Sequence, residues 1–238
     1  VYGLVWGLIA GSILEVAISF VLIKPKPRLN IRKDYFNEIF NKGKWITING
    51  IFNYLAQNGD NLVVGKVMGA SSLGIYAMAY NISILPISEI TDVVNKVVFP
   101  VYARIVEDKK RLMSAFMKNT LAISVSTVAV GVVLFMFPSQ IIYAVLGDKW
   151  LSVVPVLKVL AAYGVLRAIF GSMGTLFLGV ERQRYVTTMT SIRFIALAVT
   201  IYPFVKTFGL IGAGYSALIS VFVEIPIILY YVSKVFRK

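Results

Sequence analysis

NYLAQNGDNLVVGKVMGASSLGIYAMAYNISILP, residues 53–86, reads as two apolar stretches joined by a tight turn, KVMGASSLG, at 66–74. Extended outward, the two stretches become runs at 45–68 and 72–104. Each is long enough to cross a hydrocarbon core, which takes about 20 residues of helix. The same reading places further spans at 1–23, 114–137, 151–180, 185–205 and 208–233. The predicted fold is therefore all-α, a polytopic membrane bundle of about seven transmembrane helices. Composition agrees. The 238 residues are 58% hydrophobic and 15% charged, with mean hydropathy +0.79. A soluble chain has about 45–50% apolar and about 25% charged residues. Cys and His are both absent. That removes disulfide scaffolds, His/Cys metal sites and the commonest general acid–base side chain. No cofactor is implied.

Basic residues orient the spans. Lys24, Lys26, Arg28, Arg32, Lys33, Lys42 and Lys44 fall in 24–44. Arg104, Lys109, Lys110, Arg111 and Lys118 fall in 104–118. Arg182 and Arg184 sit in the 181–184 turn, and Lys234, Arg237 and Lys238 in the tail. These 17 of the 24 basic residues lie on alternate loops, while the opposite loops hold Lys66, Lys149 and Lys206. The expected topology is multi-pass in the cytoplasmic (inner) membrane, with residue 1 outside and the C-terminus cytoplasmic. The net charge of +13 then marks a surface facing anionic headgroups and implies no nucleic-acid partner. The first run, VYGLVWGLIAGSILEVAISFVLI, lacks the basic start and small-residue cleavage site of a signal peptide. It also lacks an initiator Met and a polar leader, so the sequence is expected to begin inside a larger protein.

Between the first two spans, KPKPRLN is held extended by its prolines. Leu29 or Ile31, Tyr35, Phe36, Ile39 and Phe40 then recur at helical spacing with charges between them. The expectation is a cytoplasmic linker at 24–44 carrying a short amphipathic helix in the membrane interface. It separates 1–23 from a six-helix unit at 45–238.

Polar groups inside spans need a reason, since a charge at mid-bilayer costs at least about 2.5–3.5 kcal/mol. Asn49, Asn53, Gln57 and Asp60 fall within an arc of about 80° on one helix. Glu89, Asp92 and Lys96 share a face of the next, which also holds Asn81 and a kink expected at Pro86. Arg167 lies near the middle of its span. Lys158, nine residues earlier, falls on the opposite face and is placed to snorkel, as is Arg193. Glu15 and Glu224 complete nine ionisable groups at membrane depth. Polar pairing between helices with no ligand is the bland reading. So many charges of both signs favour a hydrated cavity instead. Gly171 and Gly174, and Gly209, Gly212 and Gly214, are expected to permit close helix approach.

The 53–86 run resembles a helix pair of the prokaryotic polysaccharide transporters, the O-antigen and exopolysaccharide flippases. The matching positions are Gly59, Asp60, Asn61, Gly69, Leu73, Gly74, Tyr76, Ala79, Tyr80, Leu85 and Pro86. Val98, Phe99 and Pro100 are similar to the family's V-x-FP segment, and GDKW at 147–150 to its outer loop. The resemblance implies the multidrug/oligosaccharidyl-lipid/polysaccharide exporter superfamily, whose members pack two six-helix lobes about a lumen. Residues 1–23 would be the last helix of a first lobe and 45–238 the second lobe, with the N-terminal lobe as partner. The implied activity is moving undecaprenyl-pyrophosphate-linked oligosaccharide, as for lipopolysaccharide, from the inner to the outer leaflet. Membrane lipids surround it.

Candidate lumen residues are Asn49, Asn53, Gln57, Asp60, Lys96, Arg167 and Arg193. Amides offer donors and acceptors to sugar hydroxyls, and the Arg167 fork matches diphosphate oxygens. Asp60, Glu89 and Asp92 are the candidates for coupling to H⁺ or Na⁺. Two rivals are weaker. A multidrug or other lipid-precursor exporter would favour an acidic, aromatic cavity with few cations. A membrane polysaccharide polymerase, the enzymatic alternative, would need a larger outer loop than 138–150; no catalytic constellation is found.

Overall fold

The computed structural model describes residues 2–22 and 33–237, with side chains from Tyr54 onward except Ala56 and Gln57, and most of those in 2–22. Every regular element among them is helical: α1 (Tyr2–Leu22), α2 (Lys33–Arg104), α3 (Lys109–Met136), α4 (Pro138–Leu146), a 3₁₀ segment (Asp148–Val153), α5 (Val154–Gly171), α6 (Met173–Gly179) and α7 (Gln183–Arg237). The chain divides into two compact units, Val1–Ile51 and Phe52–Lys238. In the first, the described side chains of α1 are exposed or nearly so, Glu15 among them.

At 72 and 55 residues, α2 and α7 would span about 108 and 82 Å if straight, far more than a bilayer needs. Each is cut by one glycine, Gly69 (φ 84°, ψ 174°) and Gly209 (φ 62°, ψ −141°). A side chain is strained at such angles, and glycine lets the helix reverse within a single residue. Residues nearly equidistant from each glycine meet. Tyr76 bonds Asp60 across Gly69, and Arg193 pairs with Glu224 across Gly209. Both elements are thus antiparallel hairpins. With α3 and the 148–179 rod they supply six rods to the second unit.

The 45–68 and 72–104 spans therefore meet at Gly69 with no loop. Residues 29–32 of the expected interfacial helix lie outside the described residues. From Lys33 the helix runs without a break through residue 44, where the sequence separates linker from span. At Pro86, where a kink is expected, the helix continues, and Gly69 alone in α2 leaves helical dihedrals. Proline's fixed φ suits a helix, and it removes only one backbone bond.

At one end of the second unit, α3 starts on Asp108, whose carboxylate accepts from the Arg111 amide. Tyr185 and Tyr231 stack there at 4.1 Å and Phe116 meets Phe236 at 5.7 Å. The other end carries the two glycine turns. One core cluster, with Val64, Tyr76, Ile87, Leu157, Leu160 and Val205, lies toward the turns. A second, with Tyr102, Leu112, Phe177, Met189 and Ile228, lies toward the basic end. Helices gain no hydrophobic drive to associate within lipid, so close approach matters. A Cβ on Gly131 or Gly179 would run into Val165 or Tyr102, one on Gly214 would come within 2.8 Å of Val159, and one on Gly164 within 3.1 Å of Ile87. Outward, Leu121, Val125, Val132, Phe135, Ile195 and Val199 are exposed. So much apolar surface suits lipid. The protein is a multi-pass, all-α membrane bundle, with apolar segments long enough to span at Asn58–Arg104, Lys109–Met136, Asp148–Gly179 and Gln183–Arg237.

Candidate functional site

A cavity of about 510 Å³ opens inside the second unit. Its longest wall is the 70–104 arm of α2, where Asn81, Ser88, Asp92 and Asn95 recur every three to seven residues and share a face. The 148–179 rod contributes Gly164, Arg167, Ala168, Gly171 and Gly174, and α7 adds Thr190, Arg193 and Glu224. Gly171 and Gly174 do not serve close packing as the sequence suggests. A Cβ on either meets nothing within 4 Å, so their small size leaves the cavity open. Close approach belongs to Gly214, as expected, and to Gly131, Gly164 and Gly179, which the sequence reading passes over.

Two guanidiniums face this space in different states. Arg193 Nη1 lies 3.4 Å from Glu224 Oε2, and the Glu224 side chain is only 4% exposed. Arg193 is therefore paired within its own hairpin and does not snorkel. Arg167 has phenols for partners. Nη1 donates to the Tyr80 hydroxyl at 2.8 Å and to that of Tyr163 at 3.5 Å. Its carbon sits 5.9 Å from the centre of the Tyr163 ring. The phenols bond the guanidinium without carrying a counter-charge, and the buried carboxylates Asp60 and Glu224 are bonded to Tyr76 and Arg193 instead.

Asp60 is buried beside this group rather than on the cavity wall. Its carboxylate accepts from the Tyr76 hydroxyl and from the Asn61 amide, both at 2.8 Å. The Tyr76 and Tyr80 ring centres are 6.4 Å apart, so two tyrosines one turn apart stand between Asp60 and Arg167. Asn61 Oδ1 and Asn95 Oδ1 are buried with no partner among the described residues.

The structure brings Asp92, Arg167 and Arg193 to one cavity and keeps Lys96 and Glu89 off its wall, on exposed surface. Asn49, Asn53 and Gln57 lie outside the residues whose side chains are described. Of the nine ionisable groups read as lying at depth, Asp60 and Glu224 are buried. Glu15, Glu89, Asp92 and Lys96 are exposed, because no described element covers their side of the helix. Lys158 and Arg167 do fall on opposite faces: Lys158 Nζ lies over the Phe135 ring, away from the cavity. Sequence reasoning named Tyr76 and Tyr80 only as matching positions of the 53–86 run, gave them no place at the site, and passed over Tyr163. Beyond that match, the signal for Tyr76 and Tyr80 was two phenols four residues apart on one helix face.

The chain is 28% identical over 179 residues to the lipopolysaccharide biosynthesis protein WzxC of Escherichia coli (strain K12), covering 75% of this chain and 34% of that protein. It is 31% identical over 145 residues to the teichuronic acid biosynthesis protein TuaB of Bacillus subtilis (strain 168), covering 61% of this chain and 30% of TuaB. It is 28% identical over 175 residues to the amylovoran biosynthesis protein AmsL of Erwinia amylovora, covering 71% of this chain and 45% of AmsL. The chain thus spans less than half the length of each. No solved structure matches it. Residues 1–155, from α1 to the start of α5, match the family described as polysaccharide biosynthesis protein. With more than half of its length matched, the chain belongs to the polysaccharide biosynthesis protein family.

Proposed function

We propose that this chain is part of a flippase, a transporter and not an enzyme, that carries lipid-linked oligosaccharide from the inner to the outer leaflet of the cytoplasmic membrane. Residues 45–238 act as the second of two lobes, 1–23 as the last helix of the first, and 24–44 as the cytoplasmic linker. The observation that carries the reading is the polar cavity at membrane depth with Arg167 held by two phenols and no carboxylate bonded to it. Sugars and diphosphate cannot enter hydrocarbon, so a path for them needs polar walls and a cation. Arg167 takes the pyrophosphate of an undecaprenyl-pyrophosphate carrier by its fork. Asn81, Asn95 and Asp92 meet sugar hydroxyls, and Arg193 reinforces the anion site when it exchanges Glu224 for substrate.

The exposed Glu89, Asp92 and Lys96 look toward the partner lobe across the lumen, and Asn49, Asn53 and Gln57 join the lumen on their sequence spacing alone. Rocking of the lobes exposes the cavity to each side in turn. Asp60, Glu89 and Asp92 are the groups through which H⁺ or Na⁺ would drive it. Names of relatives support the substrate class: lipopolysaccharide, teichuronic acid and amylovoran biosynthesis.

Glycan export by full-length variants tests this. Charge-assisted hydrogen bonds contribute about 1.5–3 kcal/mol each, so Arg167→Ala should lower export roughly 10- to 100-fold, with Arg167→Lys between it and wild type. Wild-type export by a well-folded Arg167→Ala protein would remove the anion site from the account.

A further inference from the structure

Away from the cavity, α3 and α5 leave a groove of about 470 Å³ between them, within the range of ligand sites. Val128, Val132 and Met136 line it from α3, and Ala162 and Leu166 from α5. The lining is wholly apolar and much of it is exposed. Small residues make the trench: Gly131 lets α3 come against Val165, and Ala161 and Ala162 leave the α5 side shallow.

The groove has a polar end. Lys158 stands one turn before Ala161 and Ala162 on the same face of α5. Its Nζ lies 5.4 Å from the centre of the Phe135 ring, which also lines the groove. Among the described residues Lys158 makes no ion pair. From this ammonium the trench runs toward the basic end past Leu166, eight residues on, or about 12 Å of helix. A single cation at the mouth of an apolar trench has the layout of one amphiphile, an anionic head on a hydrocarbon chain. An ammonium at this depth, lacking a carboxylate, gains most from a phosphate.

We infer that the α3–α5 groove binds one anionic phospholipid of the leaflet on the Lys149 side, its acyl chain in the trench and its phosphate on Lys158. The site is separate from the cavity, since Lys158 and Arg167 point to opposite faces of the rod. It therefore stands whether or not the transport reading does.

Native mass spectrometry of the full-length protein, titrated with phosphatidylglycerol or phosphatidylcholine, tests the inference. A basic residue near an anionic headgroup is worth about fivefold in binding. Lys158→Gln should weaken retention of the first phosphatidylglycerol by about that factor and that of phosphatidylcholine, whose choline offsets its phosphate, by less. Ala162→Phe fills the trench from an exposed position and should weaken both lipids. Lys206→Gln, a cation at the same end but off the groove, should change neither. Wild-type lipid retention by both groove variants overturns the site. So does an equal loss in Lys206→Gln and Lys158→Gln, and so does a dimer that Ala162→Phe dissociates, because the occupant would then be a second copy of the chain.

Discussion

Arg167 and Arg193 are both guanidiniums at membrane depth, yet their partners give them opposite roles. Arg193 has Glu224, and breaking a buried pair by removing one member costs about 3–5 kcal/mol, whereas replacing both by apolar groups is often tolerated. Glu224→Gln should therefore lower the melting temperature in detergent, and Arg193→Met with Glu224→Met should recover much of it. If the single and double variants melt alike, the pair does not hold the α7 hairpin. Arg167 depends on hydroxyls. Tyr80→Phe removes the 2.8 Å bond and should cost export roughly two- to tenfold, since a hydrogen bond contributes about 0.5–1.5 kcal/mol. A loss as large as that of Arg167→Ala would mean that Tyr80 itself meets the substrate. The two arginines were legible in the sequence because a charge inside an apolar run stands out. The role of the tyrosines was not, because a phenol is grouped with the hydrophobic residues in the composition and only the fold aims its hydroxyl.

The spans could be read from apolar length, and all seven begin or end within a few residues of a helix end or a glycine break. Two departures have physical causes. A turn made by one glycine leaves almost no polar interval, so 68 and 72 mark the hairpin less sharply than the backbone does at Gly69. The start at Lys33 was hidden because an amphipathic stretch and a span have different compositions but can share one helical backbone. Close-packing glycines were assigned from clustering, which favoured Gly171 and Gly174, whereas contact depends on the neighbour, as at Gly131 against Val165. At Gly69, with φ 84° and ψ 174°, any other residue costs about 1–3 kcal/mol. Gly69→Ala should therefore lower the melting temperature of the protein by several degrees. Gly74→Ala, where the backbone is helical and a Cβ meets nothing within 4 Å, should leave it unchanged or raise it slightly. Equal melting of the two variants would show that the turn tolerates a side chain.

At the scale of the molecule, the basic residues and the helix order make one statement. Arg182 and Lys234 gather over Tyr185 at one end, while Lys66 and Lys206 flank a single recess at the other. If the basic end is cytoplasmic, as the charge bias implies, Lys109→Cys should react with an impermeant thiol reagent only from the cytoplasm and Asp148→Cys only from outside. This chain has no cysteine of its own to confuse the result. The reverse pattern would invert the orientation. The central claim is that lipid-linked oligosaccharide passes through the cavity beside Arg167. A photo-crosslinking amino acid placed at Asn95 on the cavity wall, and in a second protein at Leu121 on the lipid-facing surface of α3, tests it in membranes making the labelled glycan precursor. The account predicts that Asn95 captures the glycan-bearing lipid and Leu121 captures only bulk lipid; equal capture at both positions, or none at Asn95 from a protein that still exports, would contradict it.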